Sequence, residues 1–116
     1  MHDNKELQHC AQECLDCYKK CVATIQYCLT KGGKHAGADH IRMLNDCLEI
    51  CKASAGFLLR GSAFHQETCG ACAEICRTCA ADCRRFGDDK VMLACAEACE
   101  RCAKSCDKLS AVPVRH

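Results

Sequence analysis

Cysteine recurs at intervals of three, four and seven residues along most of the chain, and that period commits the segments carrying it to helix. The cysteines fall into four runs: Cys10, Cys14, Cys17, Cys21 and Cys28; Cys47 and Cys51; Cys69, Cys72, Cys76, Cys79 and Cys83; and Cys95, Cys99, Cys102 and Cys106. Residues three and four apart share one face of a helix, so each run marks a helix with sulfur down one side. Alternating apolar and polar residues are absent and β-branched residues are few, which leaves β structure without support. At 116 residues, with no long linker or charge run, residues 1–116 are expected to form one domain.

Punctuation bounds the helices. Asp3 followed by Glu6 reads as a capping box and Gly32-Gly33 as a stop, predicting a first helix over 4–31. Asp39 is the expected cap of a second helix over 40–60, halted by Gly61. Ser62 is expected to cap a third over 63–85, before Gly87, and Asp88 or Asp89 a fourth over 90–110, with Pro113 barring continuation. Connections of about seven, two and three residues favour antiparallel neighbours. The predicted fold class is all-α, an antiparallel up-down-up-down four-helix bundle with a cysteine-lined core.

On the first helix, Leu7, Cys10, Cys14, Cys17, Cys21, Thr24 and Cys28 form one seam, and Leu15, Tyr18, Val22, Ile25 and Leu29 form a second apolar stripe beside it. The second helix repeats the arrangement, with His40, Leu44, Cys47, Cys51, Ser54 and Leu58 flanked by Ile41, Leu48, Ala55 and Leu59. The extra stripe has two readings: packing between neighbouring helices, or an interface that makes the protein a homo-oligomer.

The formal net charge is +1, with 16 basic and 15 acidic residues mixed along the chain, so no basic stripe points to nucleic acid. Apolar runs such as Ala53 to Leu59 fall far short of the ~20 residues that cross a bilayer, and the polar start MHDNKELQHC does not resemble an export signal. A cytoplasmic location without membrane contact is therefore expected. In a reducing cytosol a disulfide framework is the weaker reading of these cysteines, and bridging neighbours on one helix face would strain the S–S torsion.

Any one cysteine could be a small packing residue. Replacing Leu or Ile by cysteine on all four seams forfeits ~1 kcal/mol or more per site, and bound metal can repay that by cross-linking helices. Side chains at i and i+4 have Cβ atoms about 5–6 Å apart, and a linear ion with bonds of about 2.3 Å, the zinc value, needs sulfurs ~4.6 Å apart. Cys10/Cys14, Cys17/Cys21, Cys47/Cys51, Cys72/Cys76, Cys79/Cys83, Cys95/Cys99 and Cys102/Cys106 offer that spacing. Cu(I) accepts two or three thiolates, whereas zinc prefers four. One Cu(I) replacing each thiol proton also leaves the interior neutral, while each four-thiolate zinc site buries a formal dianion. A load on the order of one Cu(I) per thiolate follows, with bridging sulfurs.

Zinc or mixed-metal thiolate storage is the alternative. An iron-sulfur electron carrier fits the count at Cys69, Cys72, Cys76 and Cys79, but such clusters use loop-borne cysteines. A thiol oxidoreductase built on Cys14/Cys17, Cys76/Cys79 or Cys99/Cys102 would need its motif at a helix start in an α/β fold. No enzymatic activity is expected.

The segments CAQECLDCYKKC, HIRMLNDCLEIC, CGACAEICRTCAADC and CAEACERCAKSC, spread over almost the whole chain, resemble the cytosolic branch of the cysteine-rich four-helix-bundle copper storage proteins. The resemblance implies many Cu(I) ions held by the core thiolates, assembly into homotetramers, and copper donor or acceptor proteins or small thiols as partners. The second helix departs from the pattern, since His40 and Leu44 hold seam places ahead of Cys47 where relatives can carry more cysteine. The topology gathers Cys28, His40, Met43, Phe86, Met92 and Cys95 at one mouth. There the resemblance suggests that ions are admitted through His40, Met43 and Met92. The plain alternative is that the methionines fill core and the histidine is solvated. His2, His9, His35, His65 and His116 are weaker candidates; His9 and His65 belong at the other end, beside an expected plug of Leu7, Leu58 and Leu109.

Overall fold

In the computed structural model, which describes residues 3–110, the chain forms four long helices. They are α1 (Asn4–Lys31), α2 (Ala38–Leu59), α3 (His65–Arg84) and α4 (Lys90–Leu109), with a short 3-10 turn at Gly33–Ala36. Each helix packs on its chain neighbours and α1 closes the square against α4, giving an all-α antiparallel bundle 46 × 27 × 21 Å in extent. Among the described residues no helix is long and apolar enough to cross a membrane. His2, Pro113 and His116 lie outside the described residues.

The caps explain where the expected boundaries hold and where they shift. The Asp3 carboxylate accepts the Glu6 amide at 2.8 Å while Glu6 accepts the Asp3 amide at 3.2 Å, so α1 begins at its capping box. It stops at Gly32, whose positive φ of 73° suits glycine. Asp39 does not cap α2. The 3-10 turn brings the Gly37 amide to the Lys34 carbonyl, and the Gly37 carbonyl then accepts the Ile41 amide at 3.0 Å, so the helix starts at Ala38. Asp39 sits inside the first turn, paired with Arg42.

Ser62 does not cap α3 either. Its hydroxyl accepts the Phe64 amide at 3.1 Å and its carbonyl the His65 amide at 3.2 Å, building a turn that delays the helix to His65. Residues 60–64 and 85–89 therefore make longer connections than expected. Asp89, one of the two residues expected to open α4, caps it by accepting the Val91 and Met92 amides at 3.0 and 3.2 Å.

Sulfur and alanine fill the middle. All sixteen cysteines are buried and free of disulfides, with buried Ala11, Ala73, Ala80, Ala96 and Ala103 beside them. Small side chains let the helices approach closely but bury little apolar area each, so the bundle draws less from its core than a leucine-packed one would. Outside, Arg77 grips Asp107 at 2.7 and 2.8 Å and Arg84 grips Glu100 at 2.7 Å twice, both joining α3 to α4. The second apolar stripe divides. Ile25, Leu48 and Ala55 are buried, Leu15, Tyr18 and Ile41 half-buried, and Val22, Leu29 and Leu59 exposed.

Candidate metal centre

The four seams meet as a ladder of sulfurs along the bundle axis. From the end where α1 starts, Cys10 lies 3.6 Å from Cys106, Cys106 lies 3.7 Å from Cys14, and Cys14 lies 3.7 Å from Cys102. Cys102 then meets Cys72 at 3.7 Å and Cys51 at 3.8 Å, and Cys51 meets Cys76 at 3.5 Å. Cys76 reaches Cys47 at 3.7 Å, and Cys17 bridges Cys47 at 3.8 Å and Cys99 at 3.6 Å. Among the described residues these sulfurs form overlapping sets within 4.8 Å: Cys14, Cys72, Cys102 and Cys106; Cys51, Cys72, Cys76 and Cys102; Cys17, Cys47, Cys51 and Cys76; Cys17, Cys21, Cys47 and Cys99; and the trio Cys10, Cys69 and Cys106. Cys79, Cys83 and Cys95 are buried and continue the seams toward the other end, outside those sets.

The pairing differs from a simple i, i+4 scheme. Cys17/Cys21, Cys47/Cys51, Cys72/Cys76 and Cys102/Cys106 each share a set, but most of the short approaches cross from helix to helix. Three thiolates around one ion with bonds of about 2.3 Å stand ~4 Å apart, near the spacing found, whereas a linear pair needs ~4.6 Å. Shared three-coordinate positions with bridging sulfurs therefore suit the ladder with little motion, and linear ones require the sulfurs to spread.

Most of these thiols are raised, which favours the protonated form, while Cys17, Cys47, Cys72, Cys95 and Cys102 are lowered by bonds from neighbouring thiols. Among the described residues no lysine or arginine is buried. Cys28 is pushed up to about 11 by burial, reinforced by the Cys95, Asp89 and Asp82 charges. Cys69 rises to about 12 through its bond with Cys10 and its burial. Inside the ladder, Cys106, Cys51 and Cys21 are raised by their bonds to Cys10, Cys102 and Cys17 respectively. Cys17 and Cys72 are lowered, Cys102 being the largest contributor to each. Some sulfurs are thus set to ionise ahead of their neighbours, and a thiolate so formed has no partner except S–H donors or an incoming metal.

At the far end the ladder finishes in mixed donors. Cys28 Sγ lies 3.4 Å from His40 Nε2 and 3.7 Å from Met92 Sδ, with His40 and Met92 buried. His40 Nδ1 sits 2.5 Å from Asp82, so the ring donates there and turns the Nε2 lone pair toward Cys28. Burial alone would raise Asp82, but His40 and Arg85 outweigh it and hold the carboxyl below its usual range. Met43 packs half-buried against the core while His40 and Met92 converge on Cys28. Phe86 covers the site, its ring centre 4.7 Å from that of His40 and 4.4 Å from that of His35.

His35, a weak candidate from sequence, is buried here, with Nε2 3.0 Å from Asp89 Oδ2, which also accepts the Tyr27 hydroxyl at 2.8 Å. Asp89 is held at about 2: burial pushes it up, and the bonds from Tyr27, His35 and two amides prevail. No local motif announced this cluster; it forms because the 3-10 turn folds back over the bundle end. His9 is exposed, 3.9 Å from Glu13, and the His65 ring nitrogen sits 2.8 Å from the Ser62 carbonyl. Leu58 and Leu109 are buried and Leu7 is half-buried against the core.

Comparison with known proteins places these features in one group. A structure of a protein from Nitrosospira multiformis superposes with a TM-score of 0.87 at 41% identity, covering 94% of this chain and 98% of that one. The Cu(I)-bound copper storage protein BsCsp3 superposes with a TM-score of 0.84 at 32% identity, covering 91% and 99%. A cytosolic copper storage protein from Streptomyces lividans, carrying five coppers, gives a TM-score of 0.85 at 30% identity, covering 96% and 97%. The sequence profile of the copper storage proteins matches residues 3–111. With the profile spanning nearly the whole chain and its fold shared with solved copper storage proteins, this chain belongs to the copper storage protein family.

Proposed function

We propose that this protein stores multiple Cu(I) ions in the bundle interior, using the core cysteines as thiolate ligands and buffering the cytoplasm against free copper. The observation that carries the reading is the set of buried sulfurs free of disulfides, most of them in overlapping groups, with no Lys or Arg buried among the described residues. Each Cu(I) that enters displaces a thiol proton, so loading keeps the interior neutral where zinc would leave buried dianions. The ligands are all sixteen cysteines: Cys10, Cys14, Cys17, Cys21, Cys28, Cys47, Cys51, Cys69, Cys72, Cys76, Cys79, Cys83, Cys95, Cys99, Cys102 and Cys106. His40 and Met92 admit ions at Cys28, with Met43 in a lesser part. Storage needs no chemical step, so no catalysis is assigned. The domain is single and the working form a homotetramer, for which the exposed Val22, Leu29 and Leu59 give the apolar surface.

Anaerobic titration with Cu(I), followed by metal analysis of the isolated protein, tests the reading. Saturation on the order of one ion per thiol is expected from ligand softness and charge balance. Saturation after only a few ions, or displacement of copper by equimolar zinc, would overturn it. Light scattering that gives a monomer with and without copper would remove the tetramer.

A further inference from the structure

The end of the bundle away from His40 offers a second approach to the sulfur ladder. Between the start of α1 and the end of α4 lies a surface cavity of about 300 Å³, lined by Lys5, Glu6, His9, Cys10, Lys108 and Leu109 among others. Two ammonium groups, Lys5 and Lys108, face one carboxylate, Glu6, which keeps its charge while it accepts the Asp3 amide, so the lining carries a small excess of positive charge. Cys10 is one of the lining residues and, at 1%, is the one cysteine of the sixteen whose exposure is not zero. It also starts the ladder, 3.6 Å from Cys106 and in one set with Cys69 and Cys106. At the opposite mouth Cys28 has no exposure, behind His40, Met92 and Phe86.

We propose that this cavity is an exchange site for a small thiol bearing carboxylates, which takes Cu(I) from Cys10. The inference rests on the storage reading. The volume is at the lower end of the ~300–1,000 Å³ typical of ligand pockets, which suits a molecule the size of a short peptide rather than a folded partner. Lys5 and Lys108 draw in the carboxylates and orient the thiol toward the floor. The visitor's sulfur forms a bond to Cu(I) as the ion's bonds to Cys10, Cys69 and Cys106 break in turn, and the proton the visitor loses passes to Cys10. Copper stays monovalent, so no oxidant or reductant takes part. Neighbouring sulfurs of Cys69 and Cys106 then pass the next ion outward.

Two measurements on the full chain test this. In metal-free protein, brief alkylation with iodoacetate or neutral iodoacetamide is mapped by peptide mass. Cys10 is expected to react first. The double variant Lys5→Glu/Lys108→Glu is expected to slow iodoacetate at Cys10 about tenfold while leaving iodoacetamide unchanged. In copper-loaded protein, transfer to reduced glutathione and to neutral β-mercaptoethanol is followed with a Cu(I) indicator. The charge reversal is expected to slow the glutathione transfer severalfold and spare the other, and Cys10→Ser to slow both. First alkylation at another cysteine, or equal effects of the charge reversal on both thiols, overturns the proposal. A chain that takes up no Cu(I) overturns the storage reading instead, while the alkylation result still decides whether the cavity selects anions.

Discussion

Thr24 stands where the α1 seam would place another cysteine between Cys21 and Cys28, and its buried hydroxyl has no hydrogen-bond partner. A buried, unpaired polar group costs about 1–3 kcal/mol, so the near-isosteric Thr24→Val is expected to stabilise the metal-free bundle by ~1 kcal/mol. Urea unfolding reads this as a higher midpoint at unchanged slope. At the mouth, His40→Ala and Met92→Leu are expected to slow uptake of the first Cu(I) ions in stopped-flow mixing, with the final load falling by no more than an ion or two. An unchanged rate in the double variant would move the entrance elsewhere. Both residues were legible in the sequence because they sit on the cysteine seam or at the end of a helix carrying it. Asp82 and the Tyr27–His35–Asp89 cluster were not. Their partners come from other elements, and which carboxylate meets which ring depends on the rotation of whole helices about their axes, a quantity no local motif encodes.

Helix boundaries divide along the same physical line. Where a side chain does the capping, at Asp3 and Asp89, the residue type and position were readable in advance. Where the backbone does it, at Gly37 and Phe64, the polar residues nearby misled: Asp39 pairs with Arg42 and Ser62 builds a turn. The distinction predicts unequal consequences for similar substitutions. Asp89→Ala removes two cap bonds together with the anchor for Tyr27 and His35, and is expected to destabilise by about 1–2 kcal/mol. Asp39→Ala removes one exposed ion pair and should stay within ~0.5 kcal/mol. Thermal melts of the two variants side by side check the ordering, and equal losses would show that Asp39 caps after all.

For the whole molecule, packing a core with thiols links folding to proton and metal binding at once. In the unfolded chain a thiol titrates near 9.0, whereas in the folded one Cys28 waits until about 11, through burial, and Cys69 until about 12, through its bond with Cys10 and burial. Between those values the folded state holds protons that the unfolded state has released, so alkali favours unfolding. Stability from these groups is therefore fully present below about pH 9 and declines as pH rises toward 11–12. Copper reverses the situation, because in the loaded protein the sulfurs are already thiolates held by metal and have no proton to lose. The urea midpoint of the metal-free protein is accordingly expected to fall between about pH 7.5 and about pH 10.5, while that of the loaded protein stays level and higher at both. A metal-free midpoint as flat as the loaded one would mean that the core already contains thiolates before copper arrives. Some cation would then have to reach them, against a core in which no described lysine or arginine is buried.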